Sequence, residues 1–234
     1  MKVGLFIPCY INQYYPNVAI ATYKLLKHLN LDVNYPLEQT CCGQPLANSG
    51  YERYTKDGIE HFIKIFKDFD VIISPSGSCT LFVKEHPLFN RNSDIRIMEL
   101  SEFLIENKSM NQISVSYPRH VGVLQCCHGL RGLQLGKSSE LMEIGESTII
   151  RILAKVKDIK LVKPDRMDDC CGFGGTFSIK EPELSVKMGH DRISDFIKNG
   201  AEILTGTDVS CLMHLEGIIR KRKLRNSHLL LTSS

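Results

Sequence analysis

"KVGLFIPCYINQYYPNVAIATYKLLKHLNLDVNYP", residues 2–36, reads as a strand, a helix and a second strand. KVGLFIP is an apolar run of the length of a buried strand. PNVAIATYKLLKHLN then sets Val18, Ile20, Ala21, Leu25, Leu26 and Leu29 along one side of a helix, and LDVNYP returns to strand length. A helix laid between two buried strands is the crossover that joins parallel neighbours, so this stretch points to a parallel α/β sheet.

The alternation continues outward. YERYTKDGIEHFIKIFKDF, residues 51–69, carries Ile59, Phe62, Ile63, Phe66 and Phe69 at helical spacing, and DVIISPSGSC, residues 70–79, is a third strand ending in a turn. TLFVKEHPLF reads as a short helix and MELSEFLIENKS as another, with a serine near its start. From about residue 119 the order begins again: RHVGVLQCC is a strand, SSELMEIGESTIIRILAKV a helix, IKLVKP a strand, EPELSVKMGHDRISDFIKNG a helix, and AEILTGTDVSC a strand ending in a turn. The expected fold class is therefore α/β with two tandem pseudo-symmetric repeats, each a small, mostly parallel sheet flanked by helices. The repeats are placed at residues 1–115 and 116–234, with the polar NKSMNQISVSYP around their boundary.

Composition narrows the class. With 43% hydrophobic residues, 24% charged residues and a net charge of +3, the 234-residue chain is an ordinary globular protein rather than a disordered or nucleic-acid-coating one. The basic run Arg220-Lys221-Arg222-Lys223 with Arg225 reads as the solvated end of a helix, and no nucleic-acid partner is expected. MKVGLFIPCYI is followed by the polar NQYYPN where a signal peptide would need small residues, and no apolar run reaches membrane-spanning length. A cytoplasmic location is expected. Thiols stay reduced there, so nine cysteines argue for metal binding or redox chemistry rather than a disulfide framework.

The cysteines follow the repeat. Each copy has one cysteine after its first strand (Cys9, Cys127), a Cys-Cys-Gly after its second (Cys41-Cys42, Cys170-Cys171) and one after its third (Cys79, Cys211). In open α/β sheets the loops beyond the carboxyl ends of the strands converge on a ligand crevice, so four thiols per repeat are expected at one centre. Four thiolates are what an iron–sulfur cluster or a structural zinc requires. A vicinal pair reaches one centre only from an irregular turn, and Gly43 or Gly172 directly after the pair supplies it. Structural zinc usually shows C-x-x-C pairs, absent here, and a thiol–disulfide enzyme would use the vicinal pair but not the outlying Cys9, Cys79, Cys127 and Cys211. Cys126 has no counterpart in the first repeat and reads as a small buried hydrophobe. His128 and Arg131 are the candidates for meeting an anionic substrate or tuning a cluster, or else serve as capping groups. His214 reads as a group supporting the ligands, and Asp168 and Asp169 as loop-forming.

These motifs resemble the cysteine-rich CCG domain family, which includes the cysteine-rich subunit of heterodisulfide reductase and the iron–sulfur subunits of glycolate oxidase and anaerobic glycerol-3-phosphate dehydrogenase. CCGQP with NSG, SPSGSC, the Cys-His with a later Arg, CCGFGGTFS and SCLMHLEG are most similar to its lactate utilization protein A group, over nearly the whole chain. The resemblance implies a cytoplasmic component of a multi-subunit system oxidising L-lactate to pyruvate, with electrons passing through iron–sulfur clusters held by Cys9, Cys41, Cys42, Cys79, Cys127, Cys170, Cys171 and Cys211. It implies partner subunits, one of them of ferredoxin type, because the C-x-x-C-x-x-C-x-x-x-C-P run of larger relatives is missing here. Membrane association would come only through those partners. The family pattern closes each repeat with C-x-x-C, but Ser76 and Asp208 stand at the first of those positions. Four cysteines per repeat then fit an ordinary 4Fe-4S cluster in each, or one cluster and one zinc site. The alternatives are a zinc-stabilised assembly module and a heterodisulfide-type thiol reductase.

Overall fold

The computed structural model describes residues 1–91, 94–107, 114–142, 145–221 and 230–231. The chain divides into two units, the first ending at Asn107 and the second taking up the chain after it. The first unit runs β1 (Lys2–Leu5), α1 (Cys9–Tyr14), α2 (Pro16–His28), β2 (Asp32–Asn34), α3 (Gln44–Ala47), a 3-10 turn (Glu52–Thr55), α4 (Lys56–Phe66), β3 (Val71–Ser74), α5 (Gly77–Glu85), α6 (Pro87–Asn90), β4 (Ile97–Glu99) and α7 (Leu100–Glu106). Its sheet has the order β2-β1-β3-β4 and every pairing is parallel, Val3 lying between Val33 and Val71. The second unit runs β5 (His120–Leu124), a π-helical turn (His128–Gly132), a 3-10 turn (Ser139–Leu141), α8 (Thr148–Leu153), β6 (Lys160–Val162), α9 (Phe177–Lys180), α10 (Pro182–Lys198), β7 (Ile203–Gly206), α11 (Val209–Lys221) and β8 (Leu230–Leu231). Its sheet order, β6-β5-β7-β8, is the same parallel arrangement.

The duplication extends to the packing. Gly4 and Gly122 hold the same place in β1 and β5, and a β-carbon on either would collide with a phenylalanine ring, at 2.8 Å from Phe66 and 2.5 Å from Phe196. Each glycine lets the helix behind the sheet, α4 or α10, drop its aromatic ring onto the central strand. In the first unit Phe6 continues this edge-to-face against Phe62 and Phe66, with Phe6 and Phe62 centroids 5.0 Å apart. Valine and isoleucine fill β3, which is buried throughout, as a parallel strand covered on both faces requires.

The structure departs from the sequence reading in local places. Ile20 is exposed, and Thr22 takes its place on the buried face of α2 by donating its hydroxyl to Val18 O at 2.8 Å. The run TLFVKEHPLF is two helices, because His86 ahead of Pro87 is extended; α5 begins at Gly77, so Cys79 lies in its first turn rather than in a loop. MELSEFLIENKS hides the three-residue strand β4, and α7 is capped by Glu99 rather than by a serine. Only residues 148–153 of the helix anticipated over 138–156 form α8, since Ser147 ahead of it is extended and accepts a hydrogen bond from Gln125 Nε2 at 2.9 Å; residues 143 and 144 lie outside the described residues. Arg220 and Lys221 form the exposed last turn of α11, while the rest of the basic run and residues 108–113 of the anticipated boundary lie outside the described residues.

Glu99 gives the first unit a pH dependence. Its carboxylate is fully buried, accepts from Ser101 N at 2.7 Å and from the Ser101 hydroxyl, and sits in a capping box with Glu102. Burial nevertheless outweighs those bonds and pushes the group up to about 7. The folded state then binds a proton that the unfolded chain has released, so stability falls as pH rises from the ordinary carboxylate value toward 7. Glu99→Gln keeps the accepting oxygen, and urea titrations at pH 5 and pH 8 should show the wild type losing up to about 3 kcal/mol more than this variant between them. Parallel losses would contradict the assignment.

Candidate metal centres

In each sheet the connections leave the first central strand to one side and return on the other, so the two central strands mark a switch point: β1 and β3 in the first unit, β5 and β7 in the second. The crevice beyond their carboxyl ends is where this architecture binds ligands. Cys9 follows β1 as the first residue of α1, Cys79 sits in the first turn of α5 after β3, and Cys41-Cys42 come in on the loop after β2. Gln39 holds that loop against the strand end by accepting from Ile7 N at 2.8 Å and donating to Leu5 O at 3.2 Å, a role that only its place two residues before the pair could have suggested.

The four thiols of the first unit meet. Cys41 is in hydrogen-bonding contact with Cys9 and Cys42, and Cys42 with Cys79, so the sulfurs run as an arc from exposed Cys9 to buried Cys79. The second unit builds the same arc: Cys127 to Cys170, Cys170 to Cys171, and Cys171 to Cys211. All eight cysteines singled out in the sequence are thus gathered, four in each unit. Hydrogen bonding from Cys42 and Cys9 draws the Cys41 thiol down to about 2, and hydrogen bonding from Cys127 and Cys171 draws Cys170 down to about 2. Their neighbours are pushed up by donating to that thiolate and by burial.

Backbone N–H groups also point at sulfur. Gly172 N lies 3.4 Å from Cys170 Sγ and Phe173 N 3.5 Å from Cys171 Sγ. The turn that makes this possible has Gly172 at φ +86, matched by Gly43 at φ +97 in the first unit. Gly172 is locked from behind, where Ser185 Oγ on α10 donates to its carbonyl at 2.7 Å, and His214 Nε2 lies 3.3 Å from Ser185 O and 3.4 Å from Ser185 Oγ. His214 therefore acts on the loop through Ser185, in keeping with a supporting role.

Ser76 and Asp208 have a structural use. Ser76 is the N-cap of α5 and accepts from Cys79 N at 3.4 Å, while Tyr10 OH reaches it at 3.1 Å. Asp208 precedes α11 and accepts from Ser210 N at 3.1 Å and Ser210 Oγ at 2.6 Å. Each residue satisfies the helix start that carries the last cysteine of its unit, as serine and aspartate do at N-caps.

The sequence candidates for substrate contact are placed differently. Arg131 is committed to two carboxylates: its Nη2 pairs with Asp168 Oδ2 at 3.0 Å and with Glu140, and Asp168 in turn accepts from Ser139 N at 2.8 Å. Arg131 thereby braces the segment leading into Cys170 rather than standing open for an anion. Asp168 is loop-forming as expected, and Asp169 pairs with Arg166 at 3.0 Å. His128 Nδ1 lies 3.7 Å from Cys127 Sγ, beside the second arc. Cys126 is buried in the core of the second unit, as its sequence reading has it, and its thiol also contacts Cys211 at the buried end of the second arc.

The donor set suits an iron–sulfur cluster. It consists of thiols alone, with backbone amides directed at the sulfurs, which is how proteins hold and tune such clusters. The clustered thiols are compatible with a bound metal or an iron–sulfur cluster.

Comparison with known proteins agrees with this arrangement. The family model of the CCG cysteine-rich domain matches residues 3–84 and again residues 121–216. The chain is 33% identical to Lactate utilization protein A of Exiguobacterium sp., over 94% of this chain and 91% of that protein. It is 35% identical to Lactate utilization protein A 1 of Bacillus mycoides, covering 93% and 89%, and 35% identical to Lactate utilization protein A of Geobacillus thermodenitrificans, covering 94% and 92%. With both repeats matched and the likeness carried from end to end, the chain belongs to the cysteine-rich CCG domain family, in its lactate utilization protein A group.

Proposed function

We propose that this chain is an iron–sulfur component of a lactate-utilization system that oxidises L-lactate to pyruvate, with one cluster in each unit. The observation that carries the reading is the same arc of four thiols at the switch point of both sheets, each including one solvent-facing cysteine, Cys9 at the end of the first arc and Cys170 within the second. The relatives' names supply lactate. When bound, such a cluster takes up and returns one electron at a time. The chain's own residues set the ligands, aim Gly172 N and Phe173 N at the sulfurs, and leave one edge of each arc open toward a partner. That partner is expected to be another subunit of the lactate system, including one with ferredoxin-type clusters. Among the described residues no helix is long and apolar enough to cross a membrane.

Anaerobic purification tests this. A brown protein containing iron and acid-labile sulfide, with visible absorption that bleaches under dithionite, is the expected result. Cys42→Ser and Cys171→Ser should each remove about half of the iron, because each breaks one centre. A colourless protein holding only zinc would instead make the chain an assembly module. Retention of a disulfide-reducing activity after metal removal would make it a thiol reductase.

A further inference from the structure

We infer that Cys126 supplies a fifth thiolate to the second centre, so that the two centres of the chain are chemically different. The inference rests on the cluster reading above. Its ground is a contrast between the units at equivalent positions. In the first unit the arc is open: Cys79 closes onto Cys42, and the residue before Cys9 is Pro8, which has no thiol. In the second unit the residue before Cys127 is Cys126, and Cys211 contacts both Cys171 and Cys126. The sulfurs therefore follow one another from Cys127 through Cys170, Cys171 and Cys211 to Cys126, and the last is the chain neighbour of the first. Five sulfurs follow one another in the second unit where the first has four.

Cys126 sits where the two elements carrying the last cysteines meet. Its Sγ is within donating distance of Leu124 O at 3.6 Å and Asp208 O at 3.9 Å, so the sulfur reaches from the end of β5 to the start of α11, the helix that carries Cys211. Gly206 faces it at the end of β7, where an added β-carbon would stand 3.4 Å from the sulfur and 2.8 Å from Leu124 O. The equivalent residue of β3 is Ser74, whose buried hydroxyl has no hydrogen-bond partner among the described residues. The second unit thus has Cys126 and Gly206 at the positions where the first has Pro8 and Ser74. A core methyl would need no such neighbourhood of thiols; a thiolate on iron does, and binding releases its proton to solvent.

The test uses the full chain, reconstituted anaerobically with 57Fe(II) and sulfide. Five thiolates on four irons leave one iron carrying two of them, so the wild type should show a separate Mössbauer component of about one iron per chain. In Cys126→Ala and Cys126→Ser that component should vanish, one of the two reduced-state EPR signals should shift while the other stays, and a chelator should strip the altered centre about tenfold faster. Cys126 variants with the wild-type Mössbauer and EPR spectra would overturn the inference while leaving the cluster reading intact, provided Cys127→Ser still loses that centre. Should both Cys126 variants fail to fold, by circular dichroism of the apo protein, the wild-type Mössbauer spectrum decides, and absence of the two-thiolate component overturns the inference. A wild type that takes up no iron overturns both readings.

Discussion

Replacing Gly172 by alanine should empty the second centre while leaving the first filled, and should cost the second unit about 3 kcal/mol or more. Gly172 sits at φ +86, and an alanine β-carbon there would stand 2.5 Å from Ser185 O and 2.8 Å from Met188 Cβ. The left-handed backbone alone costs about 1–2 kcal/mol for an L side chain. The clash is with the backbone of α10, which cannot give way as the tip of a flexible side chain could. The loop must therefore move, and with it go the Ser185 hydrogen bond to Gly172 O and both amide contacts to Cys170 and Cys171. Gly43→Ala tests the same turn more gently, because its nearest atoms belong to the Thr55 side chain at 3.2 Å. Gly200→Ala is the control, having φ +83 but nothing within 4 Å; it should cost stability of about 1 kcal/mol and leave iron unchanged. Iron per chain and the melting temperature of the apo proteins separate these outcomes. Full iron in Gly172→Ala would show that the turn is not what holds the vicinal pair.

The two-fold architecture and the eight repeated cysteines were legible because each rests on a pattern the chain states twice. Strand-length apolar runs followed by helical spacing fix the parallel sheets, and the cysteines fall where parallel strands end. What escaped reading depends on contacts across the fold. β4 is three residues long and continuous in sequence with α7, so no periodicity could separate them. Ser76 and Asp208 looked like lost ligands, but cap geometry shows them holding the starts of α5 and α11. Cys126 read as a buried hydrophobe because it has no counterpart in the first repeat; only the approach of β7 and α11 shows its sulfur meeting Cys211. Arg131 looked available to a substrate because Glu140 and Asp168 are nine and thirty-seven positions away in the chain. No local signal marked Arg192 at all, since a charged residue on an amphipathic helix is ordinarily solvated.

Arg192→Met should be the most damaging change outside the cysteine loops. Arg192 is 1% exposed on α10, with its guanidinium stacked 4.6 Å over the Phe196 ring. It donates to Arg166 O and, at 3.0 Å, to Met167 O, and pairs with Asp195 Oδ2 at 3.4 Å. Asp195 answers from the same helix by accepting from Asp165 N at 2.8 Å and Arg166 N at 3.0 Å. Arginine and aspartate together thus clamp residues 165–167, the segment that leads into Cys170, to the helix whose Ser185 holds Gly172. Removing the arginine alone leaves Asp195 buried and charged beside two unpaired carbonyls, a loss of about 3–5 kcal/mol. Arg192→Met combined with Asp195→Asn should be less destabilised than the sum of the two single changes, because no uncompensated charge remains buried. The clamp also positions the second centre, so iron at that centre should be lost to a chelator faster in Arg192→Met than in wild type, with the first centre unaffected. A structural arginine serving only the core would lower the melting temperature and leave iron retention in the folded protein unchanged. Melting curves and chelation rates, measured on the full chain below the transition of the weakest variant, decide between a residue that holds the core and one that also holds the cysteine loop in register.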